Sequence, residues 1–433
     1  MTSSRCTILI ICIIIILSHL RINTASAQVE VSSTLNPVGS GARAAGMGGA
    51  FIGIADDATA ASWNPAGLVQ LERPEISAVY SYFHRRQEYN SPSHPEIAAE
   101  NTMDTDGLNY ASIVFPFVLL KRNMVVSVNY QRLFEMSKDI TYSLDRQVLG
   151  STLTDHIEFR QYGFLYTISP ALSVQITPRF SIGGTLNIWD NALGRNGWKS
   201  SYDSVLSGKV MGNPIEIKFS RQEEVSFGGL NAHAGFLWHI NDSLTVGGVY
   251  KTAFEAGLKK KIYERQDPQP AVISEKNMVE RMPPSYGLGL AYRHSDNWTT
   301  SLDMYRTEWS RFVIRDEEEN EINPLDSTPI SDGRLKDTTQ FRLGTEYLFI
   351  HSEAIIPVRA GLFYDPEPAK GHIDEFYGFS LGTGYARGSA VFDISYQFRT
   401  GNNVTGDIPS VEGSQADIKQ HTAMFSLCYY FNN

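Results

Sequence analysis

GARAAGMGGAFIGIADDATAASWNPAGL, residues 41–68, is the most informative stretch of this chain. It is rich in glycine and alanine, and Gly46, Gly48 and Gly49 permit close backbone packing and φ values above zero. Pro65 prevents a simple helical continuation. Because a long series of alternating segments follows from residue 75, we expect a compact plug placed ahead of a barrel. An arm packed under the barrel without a gating role is the alternative.

Residues 1–27 have the three regions of a secretory signal peptide. They contain Arg5, an apolar run over residues 8–17, and the small-residue end Ala25-Ser26-Ala27, which predicts cleavage after residue 27. A retained transmembrane helix is the alternative, but it needs about 20 apolar residues, and Ser18, His19 and Arg21 interrupt the run.

The composition of the remaining chain excludes several classes of protein. It has 35 basic and 47 acidic residues, so it has no general attraction for nucleic acid, and we expect no nucleic-acid partner. Cys428 is its only cysteine, which excludes an intrachain disulfide. No later run of 18 apolar residues exists, so a membrane protein of this sequence must be a closed barrel.

Turn spacing predicts that barrel directly. Fourteen segments have strand-like composition, and they begin near Glu75, Gly107, Asn123, His156, Phe180, Val225, Leu244, Ser285, Asn297, Thr338, Ala354, Glu375, Ser389 and Ala416. Tight connections are predicted at residues 121–122, 177–179, 241–243, 295–297, 351–353 and 387–388, and they alternate with long polar ones that include residues 135–155, 191–224 and 259–284. Outer-membrane barrels have this alternation of short periplasmic turns and long external loops. A soluble sandwich or propeller does not predict strict alternation.

We therefore predict an all-β protein of the bacterial outer membrane. Residues 74–433 form a 14-stranded antiparallel transmembrane β-barrel with both termini in the periplasm, and residues 28–73 form an N-terminal hatch that plugs the lumen.

Side-chain alternation assigns the two faces of the strands. In residues 391–399, aromatic and aliphatic side chains alternate with polar ones, so the aromatic face meets lipid. Charged side chains cost about 2–4 kcal/mol at the lipid midplane. The lumen is therefore expected to contain the charged residues Asp303, Arg342, Arg359 and Asp393. Two interfacial aromatic girdles are expected to contain Trp189, Trp238, Trp298 and Trp309; lumen packing is the alternative.

Specific segments then indicate a family. The 41–68 stretch, with Asn64-Pro65-Ala66, resembles the hatch of the FadL/TodX family of outer-membrane transporters for hydrophobic compounds. Further matching segments are PPSYGLGLAYR (283–293), DMYRTEWSRF (303–312), DTTQFRLGTEYLF (337–349), PVRAGLFYDPEP (357–368) and SLGTGYARGSAVFDISYQF (380–398).

The resemblance implies passive uptake of a hydrophobic molecule, a fatty acid or an aromatic hydrocarbon, by a protein embedded in outer-membrane lipid. It implies gating by a hatch whose candidate residues are Gly46, Gly48, Gly49, Asn64, Pro65 and Ala66. It also implies lateral escape near an inward kink of the third strand. That segment lacks Gly and Pro here, so Pro116 and Pro170 are the better local candidates for a kink.

Ligand contacts are predicted by chemical class. Phe51, Ile52 and Trp63 are candidates for contact with an acyl chain or ring. Arg293 or Arg359 is a candidate partner for a carboxylate, the alternative being that the arginines pair with lumen acids such as Asp303 or Asp393.

We find no motif for an enzyme, a metal or a cofactor. The chain has no nucleophile elbow, no zinc-protease motif and no phosphate-binding loop. The acidic run 316–319 has the ligand type for Ca²⁺ but is more simply a solvated loop. A protein-secretion role like that of PorV, whose hatch is similar, is the alternative function, and an open porin fits poorly with a plug.

Overall fold

The computed structural model describes residues 35–36, 39–97, 99–325, 327–406, 408, 411 and 413–431. The predicted signal peptide lies outside these residues. Helices are few and short there. They are α1 (Ala42–Gly46), α2 (Ala60–Trp63) and the 3₁₀ turns Pro65–Gln70, Pro95–Ile97, Trp309–Arg311 and Ile330–Asp332. None of the helices among the described residues is long and apolar enough to cross a membrane.

Strands make up most of the described chain. In chain order they are β1 (Glu75–Asn90), β2 (Ala99–Leu119), β3 (Arg122–Glu135), β4 (Lys138–Val148), β5 (Ser151–Thr177), β6 (Phe180–Trp189), β7 (Gly197–Val210), β8 (Asn213–His239), β9 (Leu244–Lys251), β10 (Phe254–Gln266), β11 (Val272–Met282), β12 (Ser285–Ser295), β13 (Trp298–Thr307), β14 (Val313–Arg315), β15 (Glu321–Ile322), β16 (Thr338–Ile350), β17 (Ile355–Tyr364), β18 (Glu367–Pro368), β19 (Ile373–Asp374), β20 (Tyr377–Arg387), β21 (Ala390–Thr405) and β22 (Gln415–Tyr430).

Fourteen of these strands close into one antiparallel barrel, which confirms the predicted fold class. The order around the wall is β1–β2–β3–β5–β6–β8–β9–β12–β13–β16–β17–β20–β21–β22, and β22 pairs back onto β1. All the predicted tight turns join neighbouring strands at one rim, which we call the turn end. Glu75 of β1 pairs with Tyr430 of β22 there, so both ends of the barrel chain lie at that rim.

The opposite rim, the hairpin end, differs from the sequence prediction. Long polar loops were expected between residues 135 and 155, 191 and 224, and 259 and 284, but these segments contain β4, β7, β11, most of β10 and the beginnings of β5 and β8. They pair into a sheet that continues beyond the barrel. Continued pairing satisfies the backbone N–H and C=O groups that a long structureless loop would leave to solvent.

The two faces of the wall follow the predicted alternation. Tyr286 and Leu288 of β12 and Phe392 of β21 are exposed on the outside. The four charged residues placed in the lumen by the sequence are all buried, as predicted: Asp303, Arg342, Arg359 and Asp393.

The predicted aromatic girdles are only half correct. Trp238 and Trp298, near the turn end, are 49% and 45% exposed on the outer surface, whereas Trp189 and Trp309 are 5% and 3% exposed. These two belong to an apolar cluster with Phe134, Phe227 and other residues inside the hairpin end. Trp189 has the inward phase of β6, and Trp309 begins the 3₁₀ turn that follows β13 and packs inward, so closeness to a long loop did not decide either position.

Candidate functional site

Residues 39–71, here called the inner segment, pass through the lumen of the barrel. α1 packs against β17, β20, β21 and β22, and the 3₁₀ turn that follows Asn64 packs against β5, β6 and β8. The segment is nearly devoid of exposed side chains, and Ala44, Met47, Phe51 and Ala60 are fully buried. Small residues allow this dense packing because they bring the backbone of the segment against the wall.

Inward polar side chains bind the backbone of the inner segment. One carboxylate oxygen of Asp303 accepts hydrogen bonds from the backbone N–H groups of Phe51 and Ile52, at 2.6 and 2.8 Å. Arg342 donates to the carbonyl of Gly48 at 3.0 Å. These bonds satisfy backbone groups that a short, irregular segment cannot satisfy internally.

The Asn64-Pro65-Ala66 element is fixed in the same way. The Asn64 side-chain amide donates to the carbonyls of Ile52 and Phe236, at 3.0 and 2.9 Å. The Ala66 carbonyl accepts from the hydroxyls of Ser173 and Ser181, at 3.0 and 2.9 Å. Sequence alone placed this element in the hatch, and the geometry identifies what holds it to the wall.

Glycines of the wall make room for the inner segment, a feature that the sequence analysis missed. A Cβ atom at Gly361 would lie 2.2 Å from the backbone nitrogen of Gly48, and one at Gly183 would lie 2.4 Å from the Pro65 backbone. The same close approach occurs at Gly235, Gly247, Gly289 and Gly344. The sequence contains a signal for this feature, because several neighbouring strands have a glycine at an inward-facing position, and glycine within a strand marks a close approach of another backbone.

A buried ion network joins the inner segment to the wall on the side of the turn end. Arg43 of α1 contacts Asp56 and, at 2.8 Å, Glu346. Arg359 contacts Glu346 and Asp393, both at 2.6 Å. Arg359 is therefore engaged by lumen acids, which was the alternative to its proposed role as a carboxylate partner.

Arg293 is not brought to the site. Its side chain is exposed near the turn end, where its charge acts on His239. Alternation along β12 places the Arg293 side chain on the inward face. However, Arg293 lies only two residues before the end of the strand, so its side chain reaches solvent at the rim.

The inner segment separates two cavities. The central cavity, of about 180 Å³, lies towards the hairpin end and contacts the segment at Gly39, Ala45, Gly49 and Trp63. The turn-end cavity, of about 240 Å³, contacts it at Gly41, Arg43 and Asp56 among others. A molecule that crosses the barrel lumen must therefore displace the segment or leave through the wall.

A third, smaller cavity lies beside the central one at the hairpin end. This aromatic cavity, of about 80 Å³, shares Leu133 and Phe134 with the central cavity. Apolar side chains form one half of its lining and polar ones the other. The lining includes Trp189, Phe254, Met282 and Trp309, together with Asn231, His233, Lys251, Tyr305 and Gln340.

The three predicted apolar ligand contacts have different environments. Trp63 lines the central cavity and donates its indole N–H to the Ser40 carbonyl at 2.7 Å. Phe51 packs edge-on against Trp63, while Ile52 packs against Val249 and Tyr305. Trp63 is thus the one with direct access to a ligand in the central cavity.

The wall is irregular where it borders the central cavity. Leu133 of β3 is an extra residue in the ladder with β5, which shifts between Arg132 and Phe134, and the pairing of β3 with β2 reaches only Gln131. Pro116 pairs in regular register. The irregular position is therefore a β-bulge in the third strand, where a sequence without Gly or Pro gave no signal.

One titratable group stands out beyond the barrel strands. Glu280 of β11 is 3% exposed, lies between Ala256 and Ile314 in the ladders, and has a carboxyl oxygen without a hydrogen-bond partner. Burial raises the pKa of this carboxyl to about 8, because an apolar environment disfavours the charged form.

The sequence matches one known protein family over nearly the whole chain. A sequence model of the family described as "Outer membrane protein transport protein (OMPP1/FadL/TodX)" matches residues 25–426. No curated protein matches the sequence.

Solved structures share the fold at low identity. The toluene transporter TodX of Pseudomonas putida is 13% identical, with a TM-score of 0.55, covering 93% of this chain and 100% of its own. The toluene transporter TbuX of Ralstonia pickettii is 12% identical, with a TM-score of 0.54 and coverage of 92% and 100%. The CymD monoaromatic hydrocarbon channel is 14% identical, with a TM-score of 0.54 and coverage of 92% and 99%.

Proposed function

Because the chain belongs to the OMPP1/FadL/TodX family of outer-membrane transport proteins, we propose that it takes up long-chain fatty acids or other hydrophobic compounds passively. The inner segment acts as the gate. The substrate enters at the hairpin end, occupies the central cavity, and leaves when the inner segment shifts.

The position of the inner segment between two cavities is the observation that carries this proposal. A general aqueous pore does not need a plug. A gated channel needs a plug that is held by many contacts of moderate strength. The inner segment is held in this way, by hydrogen bonds, one ion network and close packing against wall glycines. Each hydrogen bond contributes about 0.5–1.5 kcal/mol, or about 1.5–3 kcal/mol when one partner is charged, so a few can break together on binding.

The lining of the central cavity fits an amphipathic or apolar substrate. Trp63, Phe83, Phe134 and Phe363 supply apolar surface, as ligand pockets generally do. The bulge at Leu133 borders the same cavity and is the candidate position for release into the membrane. The similar solved structures are toluene transporters and a monoaromatic hydrocarbon channel, which favours aromatic hydrocarbons as a second substrate class beside fatty acids.

Uptake of labelled compounds tests the proposal. The protein is expressed in the outer membrane of a host that lacks its own fatty-acid transporter, and the entry of labelled oleate and labelled toluene is measured. We expect entry of at least one compound above an empty-vector control. If neither enters although the barrel is inserted, uptake of these hydrophobes is excluded, and co-purified exported proteins would then indicate the secretion role.

A further inference from the structure

The aromatic cavity has the composition of a site for an oxygenated ring. Resting on the proposed function, we propose that it binds a small aromatic carboxylate, with the ring among the aromatic side chains and the carboxylate against the polar half of the lining. This substrate class is narrower than the general hydrophobes proposed above.

The apolar half is rigidly built. The indole of Trp189 stacks near Phe254, with ring centroids 5.7 Å apart, and donates its N–H to Asn231 at 2.9 Å. Trp309 donates its N–H to Asn36 and Thr338, both at 3.1 Å. Because their polar N–H groups are already bound, both indoles offer only ring surface to a ligand.

In the polar half, His233 has an unused hydrogen-bond donor. The Ser169 hydroxyl donates to the side-chain oxygen of Asn187 at 2.8 Å, so the Asn187 amide nitrogen faces Nε2 of His233 at 2.9 Å and donates to it. Nε2 therefore accepts, and the ring proton is on Nδ1. His233 is 6% exposed, and this Nδ1 has no partner.

Tyr305 provides a second unused group and lies close to a positive charge. Its hydroxyl is buried without a hydrogen-bond partner, and the Lys251 ammonium lies 5.6 Å from the centre of its ring. A buried donor without a hydrogen-bond partner is unfavourable, so a ligand that accepts from it is stabilised. A carboxylate can accept hydrogen bonds from both unused donors, and the nearby positive charge of Lys251 favours a negatively charged group at this position.

The dimensions of the cavity select the size of the ligand. Its volume of about 80 Å³ suits a single ring and not a long acyl chain. It shares Leu133 and Phe134 with the central cavity. A ligand that moves from one cavity to the other therefore passes these two side chains. A pocket built to bond a polar group also rejects an analogue that lacks the group, so toluene is expected to bind less well than benzoate.

Calorimetric titration of the full-length protein in lipid nanodiscs tests the site. Benzoate and toluene are the probes, because they share a ring and differ in the carboxylate. We expect benzoate to bind at least roughly tenfold more tightly than toluene, and Tyr305→Phe and Lys251→Met each to remove most of that preference while toluene affinity changes less than about twofold. Tyr250→Phe, which alters an outward tyrosine next to Lys251, is the matched control and is expected to keep the preference.

Equal affinity for the two probes, or an unchanged preference in both variants, overturns the proposed site. If Lys251→Met does not insert, Tyr305→Phe decides alone, because it removes a single oxygen atom. Entry of labelled oleate or toluene into cells is measured separately, so the site can fail while the proposed transport function stands. If neither labelled oleate nor labelled toluene enters the cells although the protein binds benzoate, the transport function is overturned instead.

Discussion

Single inward side chains of the wall bind the backbone of the inner segment. Asp303 is the sharpest example, since one carboxylate oxygen accepts two backbone N–H groups. Alternation along β13 predicted that Asp303 faces inward, because a charge on the lipid face is costly. What it binds there was not predictable, because Phe51 and Ile52 are some 250 residues away in sequence.

Replacing Asp303 by Ala is expected to loosen the inner segment. Two buried N–H groups lose a charged acceptor, a loss of about 1.5–3 kcal/mol for such a bond, so hydrogen exchange at residues 50–54 is expected to rise at least roughly tenfold. Exchange is measured by mass spectrometry on the protein in nanodiscs. Asp296→Ala, at an exposed turn, is the control, and equal exchange in both variants would show that Asp303 is not an anchor.

Glu280 predicts a pH dependence at the hairpin end. In the unfolded chain the carboxyl has an ordinary pKa of 4.5, and in the folded protein the pKa is raised to about 8. Between these values the folded state holds a proton that the unfolded state has lost, so local stability falls as the pH rises from about 4.5 to about 8 and is constant above that.

Hydrogen exchange of β11 at pH 6 and pH 8.5, corrected for the intrinsic exchange rate, measures this effect. Glu280→Gln is expected to remove the pH difference, and Glu275→Gln, on an exposed position of the same strand, is expected to retain it. If the pH difference persists in Glu280→Gln, a group other than Glu280 causes it.

Sequence periodicity predicted the regular parts of the barrel strands correctly, but it did not predict where the strands are irregular. The fourteen wall strands and their tight turns followed from alternation and turn residues. The bulge at Leu133 and the strands of the hairpin end did not, because both depend on which neighbour a strand pairs with. The positions of Trp189 and Trp309 were missed for a different reason, because closeness to a long loop was taken as the signal of a girdle although both side chains point inward.

Two adjacent glycines of β6, Gly183 facing inward and Gly184 facing outward, give a matched test of the packing. Gly183→Ala would place a Cβ 2.4 Å from the Pro65 backbone, whereas Gly184→Ala, on the next residue, would meet no atom closer than 3.5 Å. We expect the first to displace the Asn64-Pro65-Ala66 element and lower the thermal midpoint, by an overpacking cost of about 1–3 kcal/mol, and the second to have little effect. Equal midpoints, measured by loss of heat-modifiable migration, would contradict close packing at this position.

Deleting Leu133 tests the bulge in β3. Without the extra residue β3 can pair in continuous register with β5, so the barrel is expected to insert normally while uptake of the labelled compound falls at least severalfold. Leu133→Ala keeps the bulge and is expected to retain uptake. Full uptake by the deletion variant would exclude release at this position.

At the scale of the whole molecule, the sequence predicted a plugged barrel and the family supports its role in transport. Membership could be inferred because the small-residue stretch and several strand segments match along most of the chain. The candidate site was predicted less well. Trp63 lines the central cavity, but Arg293 lies at the rim, Arg359 is bound by acids, and the aromatic cavity depends on residues from distant strands that no local pattern connects.

The proposed gating requires that the inner segment moves during uptake, and a reversible disulfide between the segment and the wall tests that movement. The backbone N–H of Ala42 donates to the Ser426 hydroxyl at 2.8 Å, so positions 42 and 426 are in contact across the boundary between the inner segment and the wall. Cysteines are introduced at both positions, with Cys428→Ser, and formation of the disulfide is verified by mass spectrometry before uptake is measured. Uptake of the labelled compound is measured before and after reduction, with each single-cysteine variant as control. A mobile gate predicts little uptake in the oxidised protein and recovery on reduction, and equal uptake in both states would contradict it.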